Sequence, residues 1–312
     1  MDQKPVINYP SQFAFLLGFF GVCIIFGGVV VGFIGQQVLH VDFKQVPNEL
    51  NKIENANLSR LLNTLASFLC FFLPTFILAR ILSKKPFAQI GFNSVIGWKQ
   101  LLLVLILTLP SIMLSGALGE LNHWIPLPAD LYNAAKKLEE EYKQTMMVMA
   151  SMHSPADYII ALLVIAAAPA FFEEVLFRGG FQQVFVGWTK SKWAGIIITS
   201  ILFSAIHFSY FGFLYRTGLG IILGLIFYYS RNIWLNILLH FLNNAVVVTQ
   251  LYILTKQGKL DEKTMDEGVP VWWGLFALVL LMILFRVFKK ESDKVIAEQQ
   301  HLIQSSPENI PS

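Results

Sequence analysis

The sequence carries little charge: only 14% of its 312 residues are Asp, Glu, Lys or Arg, whereas a soluble globular domain carries about 25%. Long segments lack these four residues altogether. Hydrophobic residues make up 55% of the chain, and its mean hydropathy is +0.59. These values exclude an ordinary soluble domain. The net charge of +3 is too small to indicate a nucleic-acid partner.

Cysteine is equally scarce. The two cysteines, Cys23 and Cys70, both lie in apolar runs, so a disulfide-stabilised scaffold is not expected. Several catalytic signatures are missing as well. The sequence has no His-Glu-x-x-His, no Gly-x-Ser-x-Gly and no aspartate inside an apolar run. These absences exclude a zincin-type metal site, a serine nucleophile elbow and an intramembrane aspartyl dyad.

Eight segments contain no Asp, Glu, Lys or Arg, and a membrane-spanning helix needs about 20 mostly apolar residues. Five of the eight come close to that length or pass it, and the fourth, fifth and sixth need flanking residues to do so. We therefore predict an all-α fold, a polytopic membrane helical bundle with about eight transmembrane helices. The segments are residues 12–35, 61–79, 100–119, 158–172, 193–208, 217–230, 232–255 and 268–285.

We expect two regions, a transmembrane helical bundle over residues 1–290 and a polar, frayed cytoplasmic tail over 291–312. The first run is about 24 residues long and exceeds the 7–15-residue core of a signal peptide, which predicts a retained anchor. The distribution of Lys and Arg between the runs predicts that both termini are cytoplasmic. The lipid bilayer is therefore an obligatory partner.

The longest connection, residues 120–155, has a helical pattern of its own. Leu138, Tyr142, Met146 and Met149 recur at helical spacing, which favours a short amphipathic helix. Such a helix could be a solvated part of the loop, could lie on the membrane surface, or could cap the bundle.

The chemistry is concentrated after the fourth apolar run, where Glu173 and Glu174 follow each other directly. A carboxylate at bilayer depth costs several kcal/mol unless it is paired or faces a polar cavity. On a helix, Glu174 and Arg178 share one face and can neutralise each other. Glu173 points about 100° away and stays unpaired. One glutamate is therefore predicted to be structural, and the other is free to act as a general base.

Two later runs carry imidazole and amide groups. His207 shares a helix face with Phe203, and His240 shares one with Asn244 and with Asn236 one turn earlier. Each of these residues alone is more typical of helix packing than of catalysis. Together with an unpaired carboxylate they favour a catalytic site, because adjacent imidazole and amide donors can stabilise an oxyanion. We expect helices from separate runs to enclose a polar cavity that opens to the cytoplasm.

Three motifs in this order resemble the CPBP family of intramembrane proteases. They are Glu-Glu-x-x-x-Arg at 173–178, Phe-x-x-x-His at 203–207 and His-x-x-x-Asn at 240–244. The family includes type II CAAX prenyl endopeptidases and bacterial proteins linked to bacteriocin self-immunity. The resemblance covers about residues 156–250, which would be the protease core, and the first three spans carry no signature.

The resemblance implies an endopeptidase that hydrolyses a peptide bond in a membrane-associated protein or peptide, which in the prenyl endopeptidases is a lipidated tail. It further implies an integral protein of the bacterial cell membrane. The implied roles are water activation by Glu173 and His207, oxyanion stabilisation by His240 and Asn244, and support by Glu174 and Arg178.

The sequence leaves the metal open. Glu173, His207 and His240 could provide a two-His, one-Glu zinc site with an open fourth position. Direct polarisation of water by glutamate and histidine explains the same residues without a metal. Two other function classes also use buried ionisable groups, a non-catalytic membrane scaffold or immunity protein and a proton-coupled transporter. The chain lacks the internal repeat that is usual in transporters.

Overall fold

The structure is a computed structural model that describes residues 7–260 and 269–304, with side chains as far as His301. Nine long helices occur in these residues, and no strand does. Their bounds are α1 Tyr9–Leu39, α2 Ile53–Leu82, α3 Trp98–His123, α4 Ala129–Met149, α5 Pro155–Thr189, α6 Lys192–Ala205, α7 Phe213–Ser230, α8 Ile233–Lys256 and α9 Val271–Gln304. Two short α-helices, Val46–Leu50 and Pro86–Ile90, lie in connections.

Seven of these helices are long and apolar enough to cross a membrane, in the part of the chain that is described. The remaining apolar helix, α6, has 14 residues. The predicted apolar runs coincide for most of their length with α1, α2, α3 and α5 to α9, one run to a helix. The prediction of an all-α polytopic bundle is therefore confirmed, and the protein is an integral membrane protein.

The helix directions define two ends of the bundle. Tyr9, at the start of α1, lies at one end together with the last turns of α9, and we call this the terminal end. The opposite end carries α4 and the 206–212 connection, and we call it the α4 end.

The last helix differs from the prediction. Residues 291–304 do not form a frayed tail, because α9 continues to Gln304. This extension is packed against the bundle: the buried Ser292 accepts a hydrogen bond from Gln100 Nε2 at 3.0 Å, and Asn93 bonds to Gln299. Residues 291–304 are therefore polar because this part of α9 extends beyond the apolar, membrane-spanning part of the bundle. Residues 305–312 lie outside the described part of the chain.

Helix α5 is wound irregularly around the two glutamates. Two π-helical segments, Leu162–Ala167 and Val175–Gln182, flank the α-helical stretch Ala168–Glu174. Pro169, the second residue of the α-helical stretch, has no N–H to donate, and the missing hydrogen bond is accommodated by the widened turn that precedes it. Such π-bulges are frequent at functional sites.

Glycines allow α7 to pack closely against its neighbours. A Cβ atom on Gly220 would lie 2.9 Å from Cβ of Ser200, and one on Gly224 would lie 2.8 Å from Cγ2 of Ile196. With no side chain at these two positions, the helix backbones approach closely. The carbonyl groups of Gly220 and Gly224 accept hydrogen bonds from Arg178 and Gln182 at 3.0 and 2.9 Å, which fixes α5 against α7.

Two apolar clusters surround the middle of the bundle. One joins α3, α7, α8 and α9 through residues such as Leu107, Leu223 and Leu239. The other joins α1, α2, α5 and α6, and it contains Phe177 and Phe203. The polar residues of α5, α6 and α8 meet where these two clusters adjoin, so the site described below is held by packed helices on both sides.

Candidate active site

Glu173 faces both histidines across a small gap. Its Oε1 lies 4.0 Å from Nε2 of His207, and its Oε2 lies 3.8 Å from Nε2 of His240. These separations are too long for direct hydrogen bonds. Both distances are close to the separation of two groups that share one water molecule. Two atoms that each bond the same oxygen at about 2.8 Å lie roughly 4 Å from each other. All three side chains line a cavity of about 530 Å³.

His207 lies just beyond the end of α6, which stops at Ala205. Its ring is fixed by a 2.7 Å contact between Nδ1 and the carbonyl oxygen of Phe203. A carbonyl oxygen can only accept, so Nδ1 carries the proton and donates it. In the neutral ring Nε2 is then an acceptor, and it is this atom that faces Glu173.

Glu174 connects the side chains of Arg178 and His240. Its Oε1 accepts a hydrogen bond from Arg178 Nη1 at 2.9 Å and lies 2.9 Å from Nδ1 of His240. Glu174 and Arg178 are completely buried. The predicted pairing of Glu174 with Arg178 is present. The contact with His240 was not foreseen, and it sets which nitrogen of that ring faces the cavity.

The ring of Phe203 lies at the centre of this arrangement. Its centroid is 5.2 Å from the ring of His207 and 5.9 Å from that of His240, both edge-on. The guanidinium carbon of Arg178 lies 5.2 Å from the same ring. Phe203 therefore spaces the two imidazoles and stacks on the cation. This explains why the second motif contains an aromatic residue four positions before the histidine.

Asn244 and Asn236 have different surroundings, although both were predicted to share a helix face with His240. Asn244 lines the cavity, and its Oδ1 accepts a hydrogen bond from Asn243 Nδ2 at 3.3 Å. Its amide N–H groups have no partner among the described residues, so they can donate into the cavity. Asn236 instead donates to the carbonyl oxygen of Leu223 at 2.6 Å and holds α8 against α7.

A zinc ion does not fit this arrangement as it stands. Ligands at 2.0–2.1 Å in a tetrahedral site lie about 3.3 Å apart, whereas the observed separations from Glu173 are 3.8 and 4.0 Å. No group of three His, Cys, Asp or Glu side chains within residues 7–260 and 269–301 has metal-binding spacing. The ring contacts of His207 and His240 through Nδ1 are nevertheless those that ligand histidines make.

The second half of α4 caps the cavity, which favours the third of the three alternatives left by the sequence. Tyr142, Met146 and Met149 line the cavity wall, whereas Leu138, one turn before them, is exposed. The end of α4 is held by the buried Arg60, which donates to the carbonyl oxygen of Met149 at 2.9 Å and to that of Ser151 at 2.7 Å. The amphipathic pattern therefore marks an inward face over the last two turns of the helix.

The cavity lies towards the α4 end of the bundle, since residues of α4 and of the 206–212 connection line it. Tyr9 and the last turns of α9 line a separate cavity at the terminal end. The cytoplasmic opening of the first cavity and the cytoplasmic location of both termini stay predictions.

Arg216 was missed by the sequence analysis. It lies in the first turn of α7 and lines the cavity with Glu173 and His207. The one available signal was a single cation at the start of an apolar run. That signal is weak, because arginines near helix ends commonly extend their charge to the membrane surface.

Comparison with known families agrees with the motifs. Residues 155–246 match the family model described as type II CAAX prenyl endopeptidase Rce1-like. This segment contains all three motifs, so the predicted resemblance is confirmed over these residues. No curated protein matches the chain, and neither does any solved structure.

Proposed function

We propose that this protein is an intramembrane endopeptidase that hydrolyses a peptide bond in a membrane-associated protein or peptide. One observation carries the proposal above all others: Glu173 and the Nε2 atom of His207 lie 4.0 Å apart across a cavity. The match of this segment to a prenyl endopeptidase family model supports the reaction class.

The first step is attack by water. A water molecule between Glu173 and Nε2 of His207 donates one hydrogen bond to each, so its lone pair is free to point at a substrate carbonyl carbon. As the oxygen–carbon bond forms, the water proton passes to the Glu173 carboxylate. Since Nδ1 of His207 is held by the Phe203 carbonyl, its ring cannot turn away from this position.

The second step is stabilisation of the oxyanion and departure of the amine. Asn244 can donate its free amide N–H to the developing oxyanion. His240, whose Nδ1 lies 2.9 Å from Oε1 of Glu174, can donate to the same oxyanion when Nε2 carries a proton. The proton on Glu173 then passes to the leaving nitrogen as the carbon–nitrogen bond breaks. Glu174 and Arg178 are completely buried, and through the hydrogen bond between them and the contact of Glu174 with Nδ1 they position His240.

The walls of the cavity suit a substrate that reaches it from the lipid. Phe20 and Ile24 of α1 and Phe71 of α2 line the cavity on the side away from α8. Ile24 is 48% exposed, so this apolar wall continues to the lipid-facing surface of α1. A prenylated or otherwise lipid-anchored chain could therefore keep its anchor in an apolar environment while its peptide bond reaches Glu173.

Cleavage by the full chain in liposomes tests the proposal. The probe is a farnesylated peptide with a fluorophore and quencher on either side of the scissile region, and mass spectrometry identifies the products. We expect cleavage by the wild-type protein and its loss in Glu173→Ala and His207→Ala. Glu140→Gln is the matched control, because Glu140 is exposed on α4 and lies 3.9 Å from Lys136. Cleavage that survives both site variants would contradict the proposal.

A further inference from the structure

Arg216 carries a positive charge into the cavity, and no acidic partner for it lies among the described residues. Of the described residues that line the cavity it is the only lysine or arginine. Its Nη1 atom is buried and has no hydrogen-bond partner in the part of the chain that the structure describes. The carboxylate of Glu173, which lines the same cavity, faces the two histidines instead, at 4.0 and 3.8 Å.

Two contacts hold the guanidinium group in place without neutralising it. Its central carbon lies 5.4 Å from the centre of the Tyr142 ring on α4, a cation–π distance. On the other side it packs against Gly212, where an added Cβ would collide with Nη1. The backbone of Gly212 has φ −91° and ψ 4°, which other residues adopt. A glycine at position 212 is therefore required to leave room for the Arg216 guanidinium, and not because of its backbone angles.

An unpaired arginine held beside the reacting groups is costly unless something binds it. Its planar fork of N–H donors fits a carboxylate in two-point contact. No side chain of the described residues provides that carboxylate, and the cavity that Arg216 lines with Glu173 and His207 is where a substrate would bind. We infer that Arg216 is a specificity-determining residue that binds a carboxylate group of the substrate, on the α4 side of Glu173.

This inference rests on the proposed function, because it gives the cavity a peptide to recognise. Two groups of a peptide have the required chemistry, a C-terminal α-carboxylate and an aspartate or glutamate side chain. A C-terminal carboxylate would place the scissile bond near the end of the chain. Three farnesylated peptides of otherwise identical sequence distinguish the sources: one with a free C-terminal acid, one with a C-terminal amide, and one amide whose last residue is glutamate.

The experiment measures kcat/KM in liposomes, and binding of the same labelled peptides by fluorescence anisotropy in detergent. For the wild-type protein we expect the acid to be preferred over the plain amide by about 10- to 100-fold, the range of a charge-assisted pair. In Arg216→Gln the preference should fall to about one, and Arg216→Lys should retain part of it. If the glutamate-ended amide recovers the preference, a side-chain carboxylate suffices.

Two further variants separate recognition from folding. Arg231→Gln changes an arginine at the far end of the same helix, which lines a different cavity, and it should keep the wild-type preference. Gly212→Ala should lower the preference by displacing the guanidinium, even if Arg216→Gln does not fold. The wild-type comparison of acid with amide needs no variant at all.

The outcomes for the two proposals differ. Cleavage with equal kcat/KM for acid and amide would overturn the inference and leave the endopeptidase intact. An acid preference in binding that Arg216→Gln abolishes, with no peptide cleaved, would support carboxylate recognition and contradict the endopeptidase. A preference that persists in Arg216→Gln would also overturn the inference.

Discussion

The Nδ1 atom of His240 and the Arg178 guanidinium meet at one oxygen: Oε1 of Glu174 lies 2.9 Å from each. Glu174 therefore does not act on a substrate in our account. It compensates a buried cation and orients an imidazole at the same time. The two adjacent glutamates thus have different tasks, because the carboxylate of Glu173 faces the cavity and the Nε2 atoms of the two histidines at 4.0 and 3.8 Å.

Arg178→Gln should destabilise the fold. The substitution leaves Glu174 without its buried counter-ion and removes the hydrogen bond to the carbonyl of Gly220, and breaking such a pair costs about 3–5 kcal/mol. The melting temperature in detergent micelles measures the effect. The control is Lys294→Gln, which breaks an exposed pair with Glu291 on α9 and should leave the melting temperature unchanged. An unaltered melting temperature for Arg178→Gln would contradict a structural role for the pair.

Asn244→Ala should lower kcat by about 10²–10³ with little change in melting temperature, since it removes one oxyanion donor. Asn236→Ala on the same helix should do the reverse. It removes a buried hydrogen bond to Leu223, costs about 1 kcal/mol of stability, and should change kcat only a few-fold. Steady-state cleavage and thermal unfolding, measured on both variants, separate the two roles. Equal kcat losses would show that Asn244 acts through packing.

Arg60→Gln should loosen the cap over the cavity. Arg60 donates to the carbonyl oxygen of Met149, the last residue of α4, and to that of Ser151 beyond it, so its loss frees the helix end from α2. Hydrogen–deuterium exchange of amides in residues 140–151 should become about tenfold faster, as expected for the loss of about 1.4 kcal/mol. Lys136→Gln on the exposed face of α4 is the control. Unchanged exchange in Arg60→Gln would mean that other contacts hold the cap.

Treatment with a chelator tests whether cleavage depends on a metal ion. Since the separations of 3.8 and 4.0 Å suit a bridging water better than a zinc ion, we expect the cleavage rate to stay within about twofold after 1,10-phenanthroline treatment and dialysis. Elemental analysis of the same sample checks that metal is absent. A rate that is lost on chelation and restored by Zn²⁺ would require Glu173, His207 and His240 to close around the ion.

The sequence was informative wherever its pattern is local. Apolar runs predict the spanning helices, and the four-residue spacing predicts the contact of Glu174 with Arg178, because both follow from helix geometry alone. The contact between His240 and Glu174 joins residues 66 positions apart, and only the packing of α8 on α5 creates it. The spacing of residues along the sequence does not show how one helix is positioned along another, so this contact could not be predicted.

The same reason explains the other differences. The inward face of α4 depends on where Arg60 meets the end of that helix. That Arg216 has no acidic partner among the described residues depends on which side chains pack around it. Residues 291–304 were predicted to be a frayed tail because a polar composition indicates exposure to water. In the structure α9 continues there, with backbone hydrogen bonds and contacts to α3. In each of these cases the outcome depends on neighbours that are distant in the sequence.

A double-substitution experiment tests the central claim most directly, which is that Glu173 and His207 act together on one water molecule. The rate of single-turnover cleavage in liposomes is compared among the wild-type protein, Glu173→Gln, His207→Gln and the double variant. Residues that act as a unit give non-additive losses. We predict that each single variant loses about 10³-fold or more and that the double variant is no more than about tenfold worse. Losses that multiply, or a His207→Gln variant that cleaves at the wild-type rate, would contradict the account.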